Sequence, residues 1–169
     1  DLSLRADAVR AHNSAITVQS ARLEAEGLLT RLPYTLQAKG ATGQGAWTID
    51  GRGVFADAGV GYELGFDGRG ALGKRDLRTT ETAIFRFGGP ERSARVRLAA
   101  SDGGRLDFDG RLRDGAANLQ ARAQDLGLGL FNVDLDGRVN ATLALQGQGD
   151  RLDRKSTRLN SSHGYISYA

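Results

Sequence analysis

Few side chains in this chain are suited to chemistry. Outside its last seventeen residues there is one histidine, His12, and there is no cysteine anywhere. Thiolate nucleophiles, cysteine-held metals and disulfide frameworks are therefore excluded. The remaining candidates are four aspartates, each in the same tetrapeptide of an apolar residue followed by Asp-Gly-Arg. These are Ile49-Asp50-Gly51-Arg52, Phe66-Asp67-Gly68-Arg69, Phe108-Asp109-Gly110-Arg111 and Leu135-Asp136-Gly137-Arg138. Carboxylates serve as acid–base pairs or as ligands of hard cations. Here, however, an Arg follows each Asp by two positions, and in a strand that places both on one face. Such spacing reads as surface charge pairing, which contributes little per pair. A lone histidine between strands reads as a solvated loop residue. Gly68-Arg69-Gly70 with Gly73 lacks the following helix that a phosphate loop needs. The sequence thus reads as a non-enzyme, with no metal and no cofactor.

Alternation with a period of two positions these residues. Val60, Tyr62, Leu64, Phe66, Gly68, Gly70 and Leu72 share one parity, while Glu63, Asp67 and Arg69 take the other. The apolar parity then switches to odd at Leu77, Ala83, Phe85 and Phe87, as an even-length hairpin loop requires. A loop at Gly73-Lys74-Arg75-Asp76 would pair Leu72 with Leu77 and Leu64 with Phe85. Thr42-Gly43-Gln44-Gly45 and Ala56-Asp57-Ala58-Gly59 are read as further four-residue loops, and Gly88 to Ser93 as another turn. Ser101 to Arg105 preserves the phase, with Gly104 expected in the left-handed conformation. Asp114-Gly115 is a two-residue hairpin turn. Near Ser20 to Arg22 the phase breaks, which suggests a bulge.

About nine strands in up-and-down order follow, with no helix. Asp-Gly usually marks a turn. Yet in all four Asp-Gly-Arg sites the Gly keeps the parity of the apolar face, as in Ile49-Gly51-Gly53 and Phe108-Gly110-Leu112. Gly51, Gly68 and Gly110 are accordingly read as inward-facing mid-strand glycines that bend the sheet. Gly137 is assigned the same role, although a three-residue loop from Leu135 to Val139 also keeps the phase. The apolar face is light, with 24 glycines, no methionine and 7% aromatic residues. That supply suits an open or ligand-filled channel better than a packed sandwich core. The fold is expected to be all-β, a long antiparallel meander curled into a trough with an apolar inner face.

Residues 153–169 break the pattern. Apart from Gly164 and Tyr165, they resemble the in-frame translation of a short-read sequencing adapter, and they are read as a disordered artefact. Arg154, Lys155 and Arg158 against Asp153 account for most of the net charge of +3. The body keeps 20 basic and 19 acidic side chains, so no nucleic-acid footprint remains.

Residues 1–152 resemble the TamB family, the inner-membrane-anchored subunit of the translocation and assembly module, within the AsmA-like group. The likeness lies in degenerate strand units such as Leu135-Asp136-Gly137-Arg138-Val139-Asn140-Ala141-Thr142-Leu143-Ala144-Leu145-Gln146-Gly147. Leu23-Glu24-Ala25-Glu26-Gly27 with Tyr34-Thr35-Leu36-Gln37-Ala38-Lys39-Gly40 has the same form. The resemblance implies an interior slice of a β-taco, a U-shaped sheet in the periplasm of a protein anchored in the inner membrane. It further implies phospholipid acyl chains as cargo, or help with outer-membrane protein assembly beside an outer-membrane barrel partner. The groove lining expected on this reading is Leu36, Trp47, Ile49, Tyr62, Leu64, Phe66, Phe85, Val96, Leu98, Leu106, Phe108, Leu119, Val133, Leu135, Val139, Leu143 and Leu145. Two rival readings fit less well. A transmembrane barrel would band its aromatics into girdles, and an adhesin-type solenoid would repeat at a fixed interval. The four motifs here lie 17, 42 and 27 residues apart.

Overall fold

A computed structural model describes residues 2–12, 16–43, 45–73, 75–128, 136–148 and 151–160. Side chains are described for the same stretches except at 2, 6–12, 148 and 151–160. Twelve strands follow in chain order: β1 (Leu2–His12), β2 (Ile16–Gly27), β3 (Arg31–Thr42), β4 (Gly45–Asp57), β5 (Tyr62–Leu72), β6 (Arg75–Thr79), β7 (Ala83–Phe87), β8 (Glu91–Ala100), β9 (Arg105–Arg113), β10 (Ala116–Gly127), β11 (Arg138–Gln148) and β12 (Arg151–Asn160). They form one all-β antiparallel meander, in which strands adjacent in sequence pair, except that β6 and β7 do not pair with each other. β6 and β7 share a single rung between β5 and β8, so the sheet has eleven rungs. At about 4.8 Å per rung the sheet runs for roughly 50 Å. All the described pairings are antiparallel, unlike the parallel stacking of a β-helical solenoid, and none joins β1 to β12 as a closed barrel would require.

Two of the hairpins are tighter than the four-residue loops expected, and their phases agree with the alternation. Thr42 pairs with Gly45, and Leu72 with Arg75. Leu77 therefore faces Gly70 and not Leu72, while Leu64 does face Phe85. The difference between those two registers is absorbed at Thr80–Thr82, which splits one expected strand into β6 and β7. Side chains close the gap: Thr79 Oγ1 accepts from the Gly68 amide at 3.0 Å and donates to its carbonyl at 3.2 Å. Thr82 Oγ1 donates to Asp67 Oδ2 at 2.8 Å. The β4–β5 turn falls two residues later than expected, at Ala58 to Gly61, because Gly59 (φ 78°) and Gly61 (φ 97°) supply its left-handed corners. Val60 consequently leaves the strand and sits in the tip.

Asp114 (φ 50°) and Gly115 (φ 73°) form the two-residue hairpin read from the sequence. The phase-preserving connection at Ser101 to Arg105 is also present, with Leu98 opposite Leu106. Its left-handed residue is Gly103 (φ 94°), not Gly104, which is buried against Leu126. The phase break in β2 is a register shift between Val18 and Ser20. A second shift, between Ala123 and Leu126, places Asp125 at φ 48°.

At the C-terminal end Arg151–Asn160 pairs with β11 as β12, with a register shift between Ala144 and Leu145; residues 161–169 lie outside the described residues. An edge strand presents unpaired amides and carbonyls that a following segment can satisfy through its main chain, whatever its side chains.

Candidate functional site

The four Asp-Gly-Arg motifs take different places, and two of them meet. Gly51 stands directly opposite Gly68, Asp50 opposite Arg69, and Arg52 opposite Asp67. The motifs of β4 and β5 are thus antiparallel complements of each other. Glycine lies against glycine on the apolar face, and acid lies against base on the other. The third motif lies mid-strand in β9, where Asp109 is paired with Arg95 at 3.5 Å and Arg97 at 2.6 Å. The fourth differs. Asp136 precedes β11, and Gly137 (φ 124°) forms the bend into it, its carbonyl accepting from Leu128 at 2.9 Å.

The mid-strand glycines Gly51, Gly68 and Gly110 are seats for aromatic rings. A β-carbon on Gly51 or on Gly68 would collide with the ring of Phe66, at 2.5 Å in the case of Gly68. Gly110 carries the Phe108 ring in the same way, 3.1 Å from where a β-carbon would lie. Two further seats were not foreseen: Tyr34 lies over Gly53, and Trp47 over Gly40. Each glycine leaves room for a ring to lie flat and cover backbone that would otherwise be wet.

The antiparallel register gathers the expected lining residues on one face. Leu36 faces Gly51, Ile49 faces Gly70, and Phe66 faces Gly53 and Ala83. Val96, Phe108, Ala121 and Leu143 form a ladder across β8 to β11, as do Leu98, Leu106, Ala123 and Ala141. Leu119 sits between Gly110 and Leu145, and Val139 meets Leu126 after the bulge. Val133 and Leu135 lie outside the described residues. Phe55, Tyr62 and Phe87 form a ring cluster, with centroids 5.2 to 6.3 Å apart.

Packing on this face is thin. Ala25, Leu32 and Tyr34 are buried, with Leu23, Leu36, Phe55, Leu64 and Phe66 half-buried around them. Ile49, Tyr62, Phe87, Leu112 and Leu143 are exposed. Among the described residues no large side chain is completely buried and no second sheet lies over the face.

Tyr34 was missed as a special residue because alternation marks its face but not its reach. Its ring crosses β4 above Gly53, and its hydroxyl donates to the Gly65 carbonyl on β5 at 2.9 Å. Burial, and secondarily the negative charge of Asp67, push the Tyr34 phenol above its ordinary value of 10.0.

The opposite face is a charge lattice. Arg97 binds Asp109 and also donates to the Phe108 carbonyl at 2.9 Å, Arg86 pairs with Glu63 at 2.8 Å, and Arg111 pairs with Glu91 at 3.1 Å. Depressions of about 350, 610 and 740 Å³ lie over this polar face, lined mainly by such residues. Among the described residues no three acidic or histidine side chains gather to hold a cation. The side chain of His12 lies outside the described part, as does all of His163.

Comparison with family models, with curated proteins and with solved structures gives no match to this chain. The two faces of the sheet differ in kind. One is wet and neutralised by its own ion pairs. The other is apolar, continuous over many rungs and only partly covered by its own side chains.

Proposed function

We propose that this chain is a segment of a lipid-conducting trough. The observation that carries the reading is the apolar face from β2 to β11, whose side chains are half-exposed with no second layer against them. A face of that extent is unfavourable in water, since apolar area contributes about 25 cal/mol per Å² when it is removed from solvent. Acyl chains are the occupant proposed here. Each buried methylene adds about 0.8 kcal/mol, and a sliding chain needs no fixed polar partner. Alternating small and large positions, with rings lying flat on glycines, leave a floor low enough for a chain to lie along the sheet axis.

The resemblance of residues 1–152 to the TamB family supports the same reading. It extends the proposal to a periplasmic location, an inner-membrane anchor in the longer protein and an outer-membrane barrel partner. It also extends it to cargo, as phospholipid or as help with outer-membrane protein assembly. The role proposed is non-enzymatic. The chain segment at 153–169 is proposed to be foreign to the working sheet.

The test is transfer of fluorescent phospholipid between vesicles by the chain, with Leu64→Asp, Leu98→Asp and Leu143→Asp as variants. Their strands keep their main-chain pairing, so the circular dichroism of the sheet should persist while transfer falls at least about tenfold. Undiminished transfer in folded variants would refute the trough.

A further inference from the structure

The two ends of the sheet differ, and the difference lies in residues that the turns do not require. In an antiparallel meander alternate hairpin tips fall at the same end. Leu28–Thr30, Ala58–Gly61, Gly88–Pro90 and Asp114–Gly115 therefore share one end of this sheet. The first three tips contain no charged residue. Val60 is 73% exposed, Leu28 59% and Leu29 57%.

Turn chemistry explains none of the three. The β2–β3 turn is closed by Arg31 N–H to the Leu28 carbonyl at 2.9 Å, which puts Leu29 at a corner where Gly, Asn, Asp or Pro is the usual choice. Val60 is β-branched and stands between two left-handed glycines, held out by the Ala58 amide bond to the Gly61 carbonyl at 3.0 Å and by Asp57 Oδ1, which accepts from Gly59 at 2.8 Å. The second and third tips also touch, since a β-carbon on Gly89 would sit 2.5 Å from the Val60 carbonyl.

Behind these tips the side chains are layered. Tyr62 and Phe87, each 41% exposed, come next; Tyr62 stacks on Phe55, and Phe87 lies tilted against both rings. With Ala58, Val60, Pro90 and the charged Glu63, Arg86 and Glu91, Tyr62 and Phe87 line a cleft of about 420 Å³. Charges flank the tips and the rings: Arg31, Asp57 opposite Tyr62, Glu91, Arg92 and the Glu63–Arg86 pair. At the other end Arg75, Asp102, Asp125 and Arg138 stand close together, with Arg138 bound to the Asp102 carbonyl at 2.7 Å and to Asp125 Oδ2 at 2.6 Å.

Exposed aliphatic tips with aromatic rings just behind them are the groups met at the boundary of a bilayer core. We infer that the lip formed by Leu28–Thr30, Ala58–Gly61 and Gly88–Pro90 inserts into the surface of a lipid bilayer, while the Asp114–Gly115 tip stays in water. Projecting tips with small apolar residues suit a fluid surface, which needs no complementary shape. The inference rests on this lip and not on acyl chains occupying the sheet. Tyr62 and Phe87 belong both to the cleft and to the apolar face, so a chain drawn from the bilayer would meet that face here.

The chain has no cysteine, so single probes can be placed cleanly. An environment-sensitive fluorophore on Leu29→Cys or Val60→Cys should shift to the blue with phosphatidylcholine vesicles and escape an aqueous quencher. The same probe on Ala116→Cys, beside the polar tip, or on Gly43→Cys, at the far end, should not change. Leu29→Asp with Val60→Asp should reduce co-flotation with vesicles at least about tenfold, with the unfolding midpoint unchanged because both sites are exposed. A silent probe at Val60, an equal shift at Ala116, or unchanged flotation of the double variant would overturn the assignment. Loss of phospholipid transfer with intact flotation would instead count against the trough alone.

Discussion

Gly51 and Gly68 face each other across β4 and β5, and the ring of Phe66 occupies the space above both. The flanking charges are reciprocal, Asp50 opposite Arg69 and Arg52 opposite Asp67, with the two carboxylates further held by Gln37 at 3.1 Å and Thr82 at 2.8 Å. One repeated tetrapeptide thus fixes a register on one face and seats a ring on the other.

Gly68→Ala should therefore destabilise the sheet by about 1–3 kcal/mol, because the added methyl must displace a ring and also approaches the Asp50 carbonyl. Phe66→Leu should remove part of that penalty. The check is a double-mutant cycle by urea unfolding, in which additive effects would show that the ring and the glycine do not interact.

Much of this arrangement was legible in the sequence, and the limits have physical causes. Alternation placed Leu64, Phe66, Leu98 and Leu143 on one face because the side-chain period is fixed by the pleat. It also showed that Gly51, Gly68 and Gly110 are not turns. Turn positions slipped by two residues at Gly59 and near Gly73, since a slip of two leaves every face unchanged and parity cannot detect it. The reciprocal charges of the two motifs were the missing signal, for only the observed register sets each acid against a base. The hydroxyl reach of Tyr34 and the Thr79–Thr82 splice depend on contacts across strands, which no local pattern encodes.

Tyr34→Phe should lower stability by about 1 kcal/mol at neutral pH through loss of the bond to the Gly65 carbonyl. The raised phenol also sets a pH dependence. In the unfolded chain the group ionises near 10.0, while in the fold it holds its proton to higher pH. Its stabilisation is complete below 10.0 and is lost as the pH climbs from there through the folded value. Urea midpoints from pH 8 to 11.5 should fall above pH 10, and the Phe variant should lack that portion of the decline.

Removal of residues 153–169 should change the unfolding free energy by less than about 1 kcal/mol. β12 adds main-chain pairing at an edge, and each such hydrogen bond contributes little net over water. Unfolding of the shortened chain would show that this segment is integral to the sheet.

On the trough reading, one face of the sheet carries acyl chains and the other does not. A photo-reactive side chain placed at Leu64, Leu98, Phe108 or Leu143, with the whole chain in a lipid-containing envelope, tests it most directly. Crosslinking should yield phospholipid adducts at these four positions and none at Asp67 or Arg111 on the charged face. Equal labelling of the two faces would contradict the account.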